Sequence, residues 1–324
     1  MSTLAIERYT AEMQAEWDAF VKASRNGTML HLRPYMDYHS DRFRDHSLVV
    51  RGADGHILAA LPACEDGTTL WSHRGLTYGG WLTATRHVTA ATMLQIFEML
   101  VEYMRRAGFE RLVYSPVPHI YHRYPADDDL YALWRMGAEL VRVMPSSSID
   151  LRRPRLMDHG TKNAINRARR SGAVFAEYAD FAAFWPLLEQ VLREHHDAAP
   201  VHTLAEIELL RSRFPEDIRL FTAMLDGRVE AGVVMYRCGP VMHAQYTAAG
   251  PVARSMRLLP ALYAYIADAH CAGCDWLDIG TSCEDGGRVL NEGLDAQKAG
   301  LGGRSTAYTT YSLRILTPLL NKSI

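Results

Sequence analysis

Long apolar runs are missing from this chain. No stretch of the 324 residues approaches the roughly 20 apolar positions of a membrane-spanning helix. The opening MSTLAIERYTAEMQAEWDAF carries acids and lacks the apolar segment of a secretory signal. A charge excess is missing too. Thirty-five basic against 37 acidic residues leave a net charge of -2. That excludes a chain-wide polyanion binder, so any phosphate site must be local. Cysteines are few: Cys64, Cys238, Cys271, Cys274 and Cys283 form an odd, scattered set. This argues against a disulfide framework and for a reducing cytoplasm. Cys271-Ala272-Gly273-Cys274 is a single C-x-x-C with no second pair. A zinc site takes about four ligands, so no metal is expected. The Gly-x-Ser-x-Gly elbow, the Walker loop and the dinucleotide fingerprint are also absent.

What is present is ordinary globular composition, 48% apolar and 22% charged, at a length that suggests about two domains. A weak internal repeat supports two halves. Leu48 to Ala60 (LVVRGADGHILAA) and Leu220 to Gly232 (LFTAMLDGRVEAG) each read as strand, Asp-Gly turn, strand. Thr77-Tyr78-Gly79-Gly80 follows the first and Thr247-Ala248-Ala249-Gly250 the second. A helical stretch comes next in each case. Its predicted buried face is Leu94, Phe97, Val101 and Met104 in the first half, and Leu259, Leu262, Tyr263 and Ile266 in the second. Both helices stop at Ala-Gly and lead into a short strand, RLVY or WLDI.

Between the halves, Pro145 and Ser146 to Ser148 interrupt the periodicity, and a strand is expected over Ile149 to Arg153. A basic helix then runs from an expected N-cap at Thr161 to a stop at Gly172. A further helix buries Phe181, Phe184, Trp185, Leu188 and Leu192, with Asp180 as its cap. Strand alternation over VMHAQYT places His243, Gln245 and Thr247 on one face, and Met242, Ala244 and Tyr246 on the other.

Taken in order, four segments carry a family resemblance: TKNAINRARRSG with FAAFWPLLEQVLREH, then AQYTAAGPVARSMRLLPALYAYIADAHCAGCDWLDIG, then LNEGLDAQKAGLGG. From about residue 15 to 313 the chain resembles the FemAB-type transferases of the GNAT superfamily. SHRGLTYGGW resembles a turn of related acyltransferases from polysaccharide gene clusters. Two departures stand out. The GNAT pyrophosphate loop, Gln/Arg-x-x-Gly-x-Gly/Ala, is replaced by Pro251 to Arg257 without paired glycines, and the family's Phe after Lys-x-Gly is Leu301. The inserted helical arm of some tRNA-dependent members is not seen.

The resemblance implies an α+β (α/β) fold of two tandem GNAT-like domains, each a mixed twisted sheet flanked by helices. The expected division is 1–148, 149–304 with the donor site, and a closing strand and tail over 305–324 that packs on the first half. The implied activity is N-acyl transfer from acyl-CoA to the amine of a nucleotide-linked amino sugar, in making a surface polysaccharide such as O-antigen or capsule. Both substrates are small molecules. A tRNA, DNA or membrane-spanning partner is not expected. The alternatives are FemAB-like aminoacyl-tRNA transfer to peptidoglycan precursors, or a non-catalytic GNAT-fold binding protein.

Such chemistry holds an amine in line with a thioester, removes a proton and stabilises an oxyanion. Candidate bases are His243, Asp278 and Glu284, at strand ends and in the Gly-rich loop beyond. Arg254, Ser255, Met256 and Arg257 form an expected turn before a helix, an anion site for donor phosphates. Lys298 is placed to neutralise a phosphate or the oxyanion. Lys162 and Arg167, on a stretch from Gly160 to Val174 with four cations and no acid, are expected to grip the acceptor's diphosphate. His73, Thr77 and Tyr78 in a glycine-bounded turn, with Tyr246 and Asn291, complete the acceptor set.

Overall fold

The computed structural model describes residues 4–196 and 198–315. The chain forms two compact units. Residues up to Val143 and from Ala307 onward make unit 1, and Met144–Thr306 make unit 2. The last nine residues of the expected tail, 316–324, lie outside the described residues.

Unit 1 holds β1 (Ala5–Arg8), β2 (Leu48–Arg51), β3 (Ile57–Leu61), β4 (Cys64–Asp66), β5 (Thr69–Trp71) and β6 (Leu82–Thr83), then α1 (Ala90–Arg106) and β7 (Arg111–Tyr114). The first Asp-Gly hairpin is present: β2 pairs antiparallel with β3, with Leu48 opposite Leu61. Gly55 sits in the turn at φ 80°, where a side chain would be strained. β1, β2, β3 and β6 form one sheet. β5 runs antiparallel to β4 and parallel to β7 in a second ladder. α1 begins at Thr89, whose hydroxyl accepts from Thr92 N–H at 3.3 Å. Its buried stripe is Met93, Ile96, Phe97, Leu100 and Met104, each contributing about 1.5–3 kcal/mol of apolar burial. Phe97 and Met104 were anticipated, while Leu94 and Val101 flank the stripe half-buried. A helix on a broad sheet buries i, i+3, i+4 and i+7 together, which widens the face.

A single strand, β8 (Glu139–Asp150), carries the chain from unit 1 into unit 2. This corrects the expected break at Pro145 and strand start at Ile149. Pairing of β8 with the strand at Trp276–Thr281 begins at Ser146. Pro145 therefore removes no hydrogen bond from that ladder. Next come α2 (His159–Arg169), β9 (Val174–Tyr178) and α3 (Phe181–His196). The cap of α2 is Asp158, not Thr161: the Asp158 carboxylate accepts from Thr161 N–H at 2.5 Å. Ala183 N–H donates to Asp180 at 3.2 Å, the cap expected for α3. Phe181, Phe184, Trp185 and Leu188 are buried. A Cβ on Gly232 would lie 2.5 Å from the Phe184 ring, so glycine there permits α3 its close approach to the sheet.

β10 (Ile218–Leu225) and β11 (Arg228–Cys238) follow, joined by Asp226 and Gly227 at φ 48° and 75°. That pair of positive angles belongs to a tight hairpin turn. β12 (Val241–Ala249), α4 (Pro251–Met256), α5 (Leu258–Ala269), β13 (Trp276–Thr281), α6 (Glu292–Gly300) and β14 (Arg304–Arg314) complete the order. β14 leads back into unit 1, where Tyr311–Arg314 pair with β7. In unit 2 the strands lie in the order β9, β10, β11, β12, β13, β8. Only β12 and β13 are parallel in that set. One face of this sheet packs Phe221, Val233, Met235, Met242 and Leu277 against Leu258, Leu262 and Ile266 of α5. The other is covered by α3.

Candidate functional site

The site is built where two parallel strands part. β12 and β13 pair only over Val241–His243 and Trp276–Asp278. Two sequence features separate them beyond that point. One extra residue, Gln245, bulges out of β12, so that Ala244 faces Met235 but Tyr246 faces Val234. Gly280 bends β13 at φ 80°. Along its other edge β13 pairs with β8 throughout, from Trp276 opposite Asp150, through Asp278 opposite Ser148, to Thr281 opposite Ser146 beyond the bend.

The bulge also reverses the alternation. Met242, Ala244 and Ala249 belong to the cluster beneath α5, and the Thr247 hydroxyl lies 2.7 Å from the Tyr263 hydroxyl of α5. Tyr246 instead packs edge-on against Trp185 of α3, with ring centroids 5.6 Å apart. The expected grouping of Thr247 with His243, and of Tyr246 with Met242, is thus overturned. A one-residue insertion exchanges the faces of every position beyond it.

His243 and Asp278 end the parallel ladder side by side. His243 Nδ1 lies 3.0 Å from Asp278 Oδ2. Asp278 is fully buried, while the His243 side chain keeps 12% exposure. Ser146 Oγ donates to Asp278 Oδ1 at 2.6 Å, and Gly280 N–H reaches the same oxygen at 3.2 Å. Two donors at Oδ1 and an imidazole nitrogen at Oδ2 make a set that suits a carboxylate anion. Cross-strand register extends this set into a row: Ser148, Asp278, His243 and Tyr236 are successive neighbours on β8, β13, β12 and β11. Ser148 and Tyr236 are buried. A buried polar row of this kind is costly unless it is used.

Lys298 of α6 adds a cation. Its Nζ donates to the carbonyls of Gly280 and Thr281 at 2.9 and 2.6 Å. Burial lowers its pKa to about 8, and Asp278 opposes that shift. Asn291 caps α6, accepting from Leu294 N–H at 3.0 Å and donating to Glu284 at 2.9 Å. Glu284 is exposed and pairs across a two-strand ribbon with Val289.

The other candidates are placed differently. Arg254, Ser255 and Met256 lie inside α4, which already begins at Pro251. Arg257 is the left-handed junction between α4 and α5, at φ 53°. This corrects the expected turn before a helix: Pro251 presets the first helical residue, so the helix starts early. The Ser255 hydroxyl bonds back to the Val252 carbonyl at 2.9 Å, and Arg254 reaches the Ala249 carbonyl at 3.2 Å. Lys162 and Arg167 occupy the exposed side of α2, whose inner side is Thr161, Ala164, Ile165 and Ala168. Tyr246 is bonded to His202 Nδ1 at 2.5 Å, and burial pushes its hydroxyl up to about 12.

In unit 1, Thr77 is exposed but His73 and Tyr78 are buried. His73 stacks on His39 with ring centroids 5.1 Å apart, and burial holds its pKa down to about 3. Tyr78 packs 4.5 Å from the Tyr121 ring. Sequence reasoning missed Ser146, Ser148 and Gly280. Ser146 contacts Asp278 across 132 residues of sequence, and no local pattern announces such a pairing.

Among the described residues, no helix is long and apolar enough to cross a membrane, and no three ligating side chains cluster for a metal.

Comparison with known proteins agrees with this architecture. Residues 158–286 match the acetyltransferase (GNAT) domain family. No curated protein matches the sequence significantly. Among solved structures, FemX aligns with a TM-score of 0.70 at 12% identity, over 96% of this chain and 97% of its own. The C-terminal domain of a protein from Agrobacterium fabrum named as a lysylphosphatidylglycerol synthetase gives 0.62 at 14%, over 94% and 92%. A tandem GNAT protein from the clavulanic acid biosynthesis pathway gives 0.54 at 14%, over 97% and 99%. At such identities the likeness establishes the fold. The chain therefore has the tandem GNAT fold, and residues 158–286 of its second unit are similar to the acetyltransferase (GNAT) domain.

Proposed function

We propose that unit 2 is an N-acyltransferase that moves an acyl group from acyl-CoA to the amine of a nucleotide-linked amino sugar, in building a surface polysaccharide. The observation that carries the acyl-transfer part is the His243–Asp278 pair at the point where two parallel strands separate. Parting strands turn backbone N–H groups toward a gap, which suits a thioester carbonyl becoming an oxyanion. The acceptor nitrogen attacks the carbonyl carbon, and His243 Nε2 takes the proton that the nitrogen must lose. The carbon–sulfur bond then breaks, the departing sulfur takes the proton back from the His243 imidazolium, and CoA leaves as the thiol with His243 neutral again. Lys298, held at the Gly280 and Thr281 carbonyls, supplies positive charge beside the collapsing intermediate. The amino-sugar acceptor follows the family resemblance, with Lys162 and Arg167 as diphosphate ligands.

The test is free-thiol release from acetyl-CoA and longer acyl-CoAs, over a panel of nucleotide-linked amino sugars. Release that requires one sugar establishes the reaction. Absence of both release and CoA binding by calorimetry overturns it. Fold likeness to FemX and to the named lysylphosphatidylglycerol synthetase domain favours a second reading, aminoacyl transfer from tRNA. Steep salt dependence of tRNA affinity would support that donor instead.

A further inference from the structure

Three candidate bases are present near the site, and their hydrogen bonds distinguish them. Asp278 is fully buried and has a hydrogen-bond partner at each oxygen. Glu284 is exposed and accepts from Asn291. His243 alone combines partial exposure with a carboxylate at one ring nitrogen. We infer that Asp278 and Ser146 are positioning residues that hold His243 as the tautomer protonated on Nδ1, which makes Nε2 the basic nitrogen. This rests on the acyl-transfer reading for its chemistry, but not for its geometry.

The two oxygens of Asp278 are not equivalent. Oδ1 receives two donors, Ser146 Oγ at 2.6 Å and Gly280 N–H at 3.2 Å. Oδ2 faces His243 Nδ1 at 3.0 Å. The double donation pins Oδ1 against β8 and the Gly280 bend, so Oδ2 must point at the imidazole. A carboxylate oxygen only accepts, which requires the proton on Nδ1. In the transfer step the acceptor's proton moves to Nε2. The imidazolium then sits beside the Asp278 anion, and Asp278 itself gains no proton.

The asymmetry yields a specific test. In Asp278→Asn the amide oxygen takes the Oδ1 place, because Ser146 and Gly280 both donate there. The amide NH₂ is then forced to face Nδ1 and donates to it. His243 must switch to the Nε2–H tautomer, with its basic nitrogen turned away from substrate. A comparable wrong-tautomer substitution in a serine protease lowers kcat about 10⁴-fold.

The first measurement is nitrogen NMR of histidine-labelled full chain, with the His243 signals identified by their loss in His243→Gln. The expected wild-type spectrum at neutral pH shows Nδ1–H, and Asp278→Asn shows Nε2–H. An Nε2–H wild type overturns the inference without any variant having to fold. An unchanged tautomer in folded Asp278→Asn overturns it as well. Turnover on the acceptor that the thiol-release assay identifies should fall on the order of 10³–10⁴-fold in kcat for Asp278→Asn, with little change in KM. Ser146→Ala should cost less, on the order of tenfold. Correct tautomers in a protein that turns over no acyl donor would fail the acyl-transfer reading and leave the positioning role standing.

Discussion

Both units contain a parallel strand pair followed through a helix, yet one pair is stitched shut and the other stays parted. In unit 1, β5 and β7 pair from Thr69 to Trp71. The chain then folds back into the gap. Ser72 N–H donates to the Val113 carbonyl at 2.9 Å, Ser115 N–H to Ser72 Oγ at 2.7 Å, and Gly79 N–H to the Ser115 carbonyl at 2.8 Å. Gly79 bridges Pro116. Tyr78, Tyr121 and Tyr308 pack together there, and the last two share a 2.7 Å hydroxyl hydrogen bond. In unit 2 the bulge at Gln245 and the bend at Gly280 keep the strands apart beyond His243 and Asp278. The same order of elements thus gives an aromatic, satisfied junction in one unit and a polar one in the other. A few residues after the last paired position decide which.

The largest expected effect sets the two junctions against each other in catalysis. His243→Ala should lower turnover by 10²–10⁴-fold, on the order expected for a lost general base. Tyr121→Phe removes the Tyr308 hydrogen bond and should cost about 1 kcal/mol of stability, with turnover unchanged within about twofold. Steady-state kinetics with melting curves check both. Equal losses of turnover would break the contrast.

Space at the two bends offers a stability test. A Cβ on Gly79 would sit 2.1 Å from the Ser72 carbonyl oxygen, a backbone atom that cannot swing aside. Gly79→Ala should destabilise unit 1 by roughly 3 kcal/mol or more, in the class of severe backbone clashes. At Gly280 the nearest atom to a new Cβ is the Ala244 carbonyl oxygen, 3.9 Å away, and only the φ of 80° is unfavourable. Gly280→Ala should cost about 1–2 kcal/mol, the left-handed penalty alone. Urea titration distinguishes them, and similar losses would mean that the unit 2 junction is as tightly filled as the other.

Much of this architecture was legible because its signals are local. The Asp-Gly hairpins, the Ala-Gly helix stops and the apolar stripe of α3 each follow from a few adjacent residues. His243 and Asp278 were legible as polar residues at strand ends. Their partnership with Ser146 was not, since it depends on β8 pairing with β13. The bulge at Gln245 was hidden for the same reason: pairing with Val234 and Met235 sets it, and alternation alone cannot reveal it. Asp158 and Thr161 are both good cap residues, and the geometry of the Gly300 turn, whose carbonyl receives Asp158 N–H at 3.0 Å, favours the earlier one.

A smaller effect separates the units by pH. Asp129 of unit 1 is buried, and desolvation raises its pKa to about 7. Its carboxyl accepts from the Tyr114 hydroxyl at 2.6 Å, which in turn accepts from Trp81 N–H at 2.6 Å. A raised folded-state pKa means that its stabilisation is complete below the unfolded value near 4. It is lost as pH rises toward about 7. Asp129→Asn keeps an oxygen for Tyr114 and cannot ionise. The decline in stability between about pH 4 and 7 should therefore be shallower in the variant than in the wild type. An identical slope would remove Asp129 as its cause.

The smallest effect belongs to Lys298, and its sign is the reverse. Its folded-state pKa of about 8 lies below the ordinary lysine value of 10.5, so the folded protein binds fewer protons than the unfolded chain between those values. Stability from this group is present in full above the unfolded value and is lost as pH falls through about 8. Wild-type stability should therefore gain from Lys298 as pH rises from about 8 toward 10.5, while Lys298→Met should lack that gain. The substitution also leaves the Gly280 and Thr281 carbonyls without their ammonium donor, so absolute stability is a poor readout and the pH slope is the useful one. A Lys298→Met slope equal to wild type over that range would mean that Lys298 titrates as an exposed lysine. The cation would then be too well hydrated to strengthen the charge beside Asp278, and unit 2 would owe its polar character to the Ser146–Asp278–His243 set alone.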